Sequence, residues 1–416
     1  MVSRRGFFRV AAGAGLIGAS APAFAAAPNS STGLKPLTGD AQPISRNERL
    51  ARLAKAQRLM EERGIGALLV EPGSTLDYFT GVLWRTSERV TAAVIPARGD
   101  VTLVCPHFEE PSVRETLGVP GDIYIWHEHE SPFVRIVQAL KDHGVVGGKV
   151  AVEANVRFFV LEGLQNVSTA FEIVPAAPIV RACRMHKSPA EIALMQTATD
   201  VTLAAYRHVY PRVQVGMTQG EIARMMDEAT AALGGAPEFS LVLLNEASAF
   251  PHGSRQPQKV KPGGVVLMDC GCTVHGYQSD VSRTWVQGPP TARQRKVWET
   301  VKRGQEIAFE TAQLGVEAER IDQAVRAYYE KEGWGPGYKL PGLSHRTGHG
   351  IGLDGHEPAY FVGGDTTPLE AGMCFSDEPG LYIPGEFGIR LEDCLHMTET
   401  GPKLFSGFAT SIEEPI

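Results

Sequence analysis

After its first two dozen residues the sequence has no apolar run of about 20 residues, the length a helix needs to cross a bilayer. It also lacks a basic excess. Lys and Arg number 40 against 47 Asp and Glu, giving a net charge of −7, and no Lys/Arg cluster offsets that balance. Nucleic acid is thereby excluded as a partner, and so is polybasic anchoring to a membrane. Cysteine is sparse: Cys105, Cys183, Cys270, Cys272, Cys374 and Cys394 are the 6 in 416 residues, too few for a disulfide scaffold. Cys270 and Cys272 would share one face of a strand and are poorly placed to bridge, so buried free thiols are expected. Tandem repeats and low-complexity tracts are missing as well. What remains is an ordinary globular balance, 43% hydrophobic and 21% charged, in a chain too long for one core.

The first residues do not belong to the fold. Ser3-Arg4-Arg5-Gly6-Phe7-Phe8-Arg9 leads into a short Ala/Gly-rich apolar run and then Ala23-Phe24-Ala25. These are the basic, apolar and small-x-small parts of an export signal. The arginine pair followed by Phe resembles a twin-arginine signal, which implies a periplasmic protein without a membrane anchor after cleavage. Residues 1–25 are assigned to this signal and 26–45 to a Ser/Pro/Thr/Gly-rich linker.

From 46 to 183 helical periodicity alternates with short apolar runs such as Ala67-Leu68-Leu69-Val70, the pattern of an α/β domain. At Ser188-Pro189-Ala190-Glu191 the character changes. Ser188 is an N-cap, Pro189 the first helical residue and Glu191 the partner of a capping box; Thr218-Gln219-Gly220-Glu221 repeats the device. The second domain, 184–416, then carries hairpins and Gly-rich turns, an α+β pattern.

Its chemistry sits in two hairpins. Asp269 and Asp280 flank a turn at Val274-His275-Gly276-Tyr277. If His275-Gly276 is the loop, Val274 faces Tyr277 and Asp280 lies diagonally beside the partner of Asp269. A one-residue shift of the loop sets the two directly opposite. Either register leaves both carboxylates on one face. In Phe375 to Asp393, pairing Ile383 with Phe387 sets Glu378 opposite Glu392, with Arg390 on the same face. Like charges this close need a cation or a shared proton. Between the hairpins, His345, His349 and His356 are interleaved with glycines that admit close backbone approach to a ligand. Such an oxygen-rich set suits Mn²⁺, Co²⁺, Fe²⁺ or Zn²⁺, and without thiolates it is not a structural zinc site. His275 at its turn is expected to be solvent-exposed, and His127 and His129, in the first domain, are expected to have no part in the site.

The order and spacing of Asp269…Asp280, His345-Arg-Thr-Gly-His349-Gly-Ile-Gly-Leu, His356-Glu357, Glu378-Pro-Gly and Arg390-Leu-Glu392-Asp393 resemble the pita-bread metallopeptidases, the family of prolidase, aminopeptidase P, methionine aminopeptidase and creatinase. The resemblance implies a creatinase-type N-terminal α/β domain and a pita-bread catalytic domain. It implies two divalent ions, manganese first, held by Asp269, Asp280, His349, Glu378 and Glu392. It further implies hydrolysis of Xaa-Pro bonds by a hydroxide bridging the metals, with Glu378 as proton shuttle. His252, seventeen residues before Asp269, and His356 take catalytic roles; His345 and Arg390 take substrate contacts. A proline-containing peptide substrate and a homodimer follow from the same likeness. The competing expectation within the fold is a lyase or hydrolase of a small zwitterion, such as dimethylsulfoniopropionate or an ectoine derivative.

Overall fold

In the computed structural model, residues 33–416 are described. The expected signal over 1–25 lies outside them, as does the first part of the linker.

The N-terminal domain runs α1 (Arg46–Glu62), β1 (Ile65–Val70), α2 (Ser74–Thr80), β2 (Ala92–Pro96), β3 (Val101–Pro106), α3 (Glu110–Thr116), β4 (Gly121–Trp126), α4 (Pro132–Asp142), β5 (Gly148–Val152), α5 (Phe158–Val167), β6 (Phe171–Pro175) and α6 (Ala177–Arg184). The strands form one mixed sheet in the order β4-β3-β2-β1-β5-β6. Alternation along β1 explains why Ala67 to Val70 is apolar throughout. Leu68 and Val70 pack with Leu53 and Met60 of α1, whereas Ala67 and Leu69 pack with Ile136 and Leu140 of α4 on the opposite face. A sheet covered on both faces leaves no polar side.

The second domain consists of two successive units, each with a helix pair preceding its strands. The first holds α7 (Pro189–Val209), α8 (Gln219–Ala232), β7 (Ala236–Leu244), β8 (Val265–Val274), β9 (Tyr277–Gln278) and β10 (Val281–Val286). Both expected capping boxes are present, Ser188 with Glu191 and Thr218 with Glu221. The second unit holds α9 (Ala292–Thr311), α10 (Ala318–Lys331), β11 (Gly348–Gly350), β12 (Glu357–Phe361), β13 (Cys374–Asp377), β14 (Gly380–Ile383), β15 (Phe387–Arg390), β16 (Asp393–Thr398) and β17 (Gly401–Leu404). The sheet of β10, β8 and β7 packs on α7 and α8; the sheet ordered β12-β11-β13-β16-β17 packs on α9 and α10.

Of the two registers open for the first hairpin, the fold adopts Val274 opposite Tyr277. His275 and Gly276 both take positive φ, 48° and 84°, the tight two-residue turn that this register requires. In the second hairpin Ile383 pairs with Phe387, as expected. The same offset continues into the next ladder as Asp377 opposite Asp393. Glu378 and Glu392 therefore meet at the point where the two strands leave one sheet and enter the other.

Ion pairs fasten the domains together. Arg184, at the end of α6, donates to Ser74 Oγ at 2.8 Å, to Asp354 Oδ2 at 2.8 Å and to Glu357 Oε1. Lys187 Nζ takes the other oxygen of Glu357 at 3.0 Å. The expected boundary at 183 thus falls within α6, whose last residue holds both domains. All six cysteines are free and buried.

Candidate active site

Asp269 lies in β8, Asp280 just before β10, His349 in the middle of β11, Glu378 just after β13 and Glu392 between β15 and β16. Ligand atoms of Asp280, His349 and Glu392 all come within 4.8 Å of one another. His349 Nε2 is 3.8 Å from Asp280 Oδ2 and 3.5 Å from Glu378 Oε1. His349 Nδ1 lies 3.1 Å from Gly350 O, a contact that fixes the ring and leaves Nε2 facing the carboxylates.

Electrostatically the site is incomplete without a cation. Burial, then the neighbouring Asp269 and Glu378, drive the Asp280 carboxyl far above the usual range. Burial and Asp280 do the same to Glu392, and burial carries Glu378 up to about 7. Burial, followed by the nearby His356, holds His349 neutral, the form in which imidazole ligates. Buried Oδ1 atoms of both Asp269 and Asp280 have no hydrogen-bond partner. Orphaned carboxylate oxygens beside a neutral imidazole fit divalent metal.

Around this centre is a cavity of 390 Å³, toward the small end of the roughly 300–1,000 Å³ typical of ligand pockets. Every residue singled out from the sequence lines it: His252, His345 and His356 as well as Arg390 and the five carboxylate and imidazole groups. His356 is at the rim, its ring 4.1 Å from that of His349 and nearly perpendicular to it. His252 is exposed at the mouth. His345 is fixed, with Nδ1 2.7 Å from Arg346 O and Nε2 2.8 Å from Tyr382 Oη; burial pulls its pKa down to about 3. His275, His127 and His129 are exposed and outside the cavity.

Arg390 needs a finer description than a substrate contact. It borders the cavity, but its guanidinium donates to Ser282 Oγ at 2.9 Å, Pro251 O at 3.1 Å, Tyr382 Oη at 3.0 Å and Asp269 Oδ2 at 2.7 Å. Through these bonds it clamps a carboxylate, the loop that carries His252 and the tyrosine that holds His345.

Sequence reasoning missed several members. Ser282 Oγ donates to Glu392 Oε2 at 2.7 Å, and Tyr382 bridges His345 to Arg390. Glu238 and Arg346 also line the cavity. Glu238 sits where β7 shifts register between Pro237 and Phe239, a bulge of the kind that re-aims a side chain. The period-2 pattern of the strand carries no sign of that.

Comparison with known proteins agrees with this architecture. Residues 193–399 match the model of metallopeptidase family M24, and residues 52–186 match the creatinase/prolidase N-terminal domain. An uncharacterized peptidase of Schizosaccharomyces pombe is 32% identical over 91% of this chain and 86% of its own length. The Xaa-Pro dipeptidase of Lactobacillus helveticus is 30% identical over 85% and 96%. The crystal structure of dipeptidase PepE from Mycobacterium ulcerans superposes with a TM-score of 0.80 at 32% identity, covering 88% of this chain and 97% of that one. With its donor set, its two-domain fold and these relatives in agreement, the chain belongs to metallopeptidase family M24, with a creatinase-type N-terminal domain.

Proposed function

We propose that this protein hydrolyses Xaa-Pro bonds in short peptides, with Asp269, Asp280, His349, Glu378 and Glu392 holding two divalent cations, manganese first. The observation that carries the reading is the convergence of these five side chains, His349 among them held neutral, in one small cavity ringed by His252, His345 and His356. Similarity to the L. helveticus Xaa-Pro dipeptidase supports the choice of bond.

Divalent cations supply Lewis acidity toward the scissile carbonyl and acidify a water enough for attack near neutral pH. The chain's own residues do the rest. Glu378 faces the cavity beside His349 and takes the proton of the attacking water. It then delivers that proton to the departing prolyl nitrogen. His252 and His356 stand at the mouth and rim, where they hydrogen-bond the developing tetrahedral centre. His345, kept neutral and tied to Tyr382, presents a rigid wall to the proline side.

The same reading places the protein in the periplasm as a homodimer, exported by its twin-arginine segment and free of the membrane. Support comes from the Arg4-Arg5 segment, from the family likeness and from net charge; among the described residues no helix is long and apolar enough to cross a membrane. The deciding assay offers manganese-reconstituted protein Ala-Pro, Gly-Pro, an Xaa-Pro-Yaa tripeptide and dimethylsulfoniopropionate. Cleavage of the proline peptides is expected; turnover of the sulfur compound alone would overturn the reading.

A further inference from the structure

Of the five carboxylates that line the cavity, Asp269, Asp280, Glu378 and Glu392 are assigned to the metal ions and Glu238 is left over. Glu238 is exposed, and among the described residues its carboxylate makes neither an ion pair nor a hydrogen bond. The strand that carries it is built around the site. β7 sets Leu241 directly opposite Asp269 and Phe239 opposite Gly271, so both apolar side chains share the face of that carboxylate. The Phe239 ring lies against the bare backbone of Gly271, where a Cβ would stand 2.5 Å from it. Beyond Phe239 the bulge brings Glu238 into the lining of the same cavity. The wall thus runs from Asp269 over two apolar side chains to one unpaired carboxylate.

Distance decides what can reach that carboxylate. Three residues of strand separate Leu241 from Glu238, roughly 10 Å at about 3.3 Å each. The α-ammonium of a peptide substrate is two bonds, about 2.5 Å, from the scissile carbon and stays beside the metal-site residues. The proline ring carries no charge and is assigned to the His345 wall. A lysine side chain at the Xaa position, by contrast, extends over five bonds of about 1.5 Å, roughly 6 Å in all. A charged hydrogen bond of about 2.8 Å then closes most of the remaining gap. The methylene stem lies along Phe239 and Leu241 while the charged head stays in water at the rim, the way long cationic side chains cover apolar surface.

We propose that Glu238 receives the cationic end of a Lys or Arg side chain at the Xaa position and gives the enzyme a preference for peptides that begin with a basic residue. The proposal rests on the peptidase reading above and adds to it a choice among Xaa residues and the side chain that makes it.

The test compares Lys-Pro, norleucyl-Pro (the same stem without the ammonium) and Glu-Pro in the wild type, Glu238→Gln and Glu238→Lys. Wild type is expected to favour Lys-Pro over norleucyl-Pro by about 3- to 10-fold in kcat/KM, the effect of one partly solvated ion pair. Added salt should shrink that ratio. Glu238→Gln should bring it to about one, chiefly through KM for Lys-Pro, and Glu238→Lys should turn the preference toward Glu-Pro. A wild-type ratio near one, or a ratio that survives Glu238→Gln, would overturn the proposal. Turnover of Lys-Ala and norleucyl-Ala without the proline peptides would sink the Xaa-Pro reading, while the lysine-to-norleucine ratio stayed decisive for Glu238. If no peptide is turned over, calorimetric titration of the manganese-loaded protein with Lys-Pro and norleucyl-Pro takes its place. Tighter binding of Lys-Pro that disappears in Glu238→Gln supports the assignment; equal binding, or none, overturns it.

Discussion

Arg390 donates to Asp269 at 2.7 Å from a strand more than a hundred residues away, and this one pair joins the two carboxylate hairpins into a single site. Arg390 is 2% exposed, and its Nε stands 4.0 Å from Glu392 as well. Removing it would leave buried carboxylates without their fixed positive charge. Arg390→Met should therefore destabilise the metal-free protein by about 3–5 kcal/mol, the usual cost of breaking a buried pair from one side. Guanidinium-induced unfolding measures this, and a loss below about 1 kcal/mol would show that Asp269 does not depend on the pair. Added manganese should restore part of the stability by binding only the folded form.

Asp280 should show the opposite behaviour. Its carboxyl is forced toward the neutral form by burial and by Asp269 and Glu378. Asp280→Asn keeps the shape and removes the charge, so the metal-free protein should gain on the order of 1–3 kcal/mol. The same variant should lose bound metal and activity. Elemental analysis beside thermal unfolding checks both halves; full metal occupancy with full activity would rule out Asp280 as a ligand.

Much of this site could be read in advance, and the reason is local. The pairing of Ile383 with Phe387 follows from a short turn, and strand alternation then sets Glu378 against Glu392 without knowledge of the rest of the fold. Capping boxes at Ser188 and Thr218 are equally local. The first hairpin was legible only to within one residue, because either turn keeps Asp269 and Asp280 on one face; the positive φ of His275 and Gly276 decides between them. What escaped the sequence is tertiary. Tyr382 matters because it touches both His345 and Arg390. Arg184 reaches Glu357 across 173 residues, a separation that no periodicity encodes.

That contact governs behaviour in acid. Burial by itself would raise the pKa of Glu357, but Lys187 and Arg184 outweigh it and hold the carboxyl at about 2, against 4.5 in an unfolded chain. A depressed folded value means that the stabilisation is fully present above about pH 4.5 and is lost as the pH falls toward 2. The shift corresponds to about 3 kcal/mol. Urea unfolding between pH 3 and 7 should show wild-type stability falling steeply at the acid end. Glu357→Gln should be less stable at pH 7 and have a flatter profile; parallel profiles would remove Glu357 from the acid response.

Glu378 bears the heaviest demand, because the proposed scheme makes it both ligand and proton carrier. Gln at this position keeps the size and one ligating oxygen but cannot accept the proton of the attacking water. If proton transfer is its contribution, Glu378→Gln assayed at saturating manganese, with occupancy confirmed by elemental analysis, should lose about 10²- to 10⁴-fold in kcat. KM should change little, since His345, assigned to the proline side of the peptide, is untouched. A variant that regains kcat to within a few-fold once its metal is restored would reduce Glu378 to a ligand. The proton would then have to travel through another cavity group such as His356, whose ring lies 4.1 Å from that of His349.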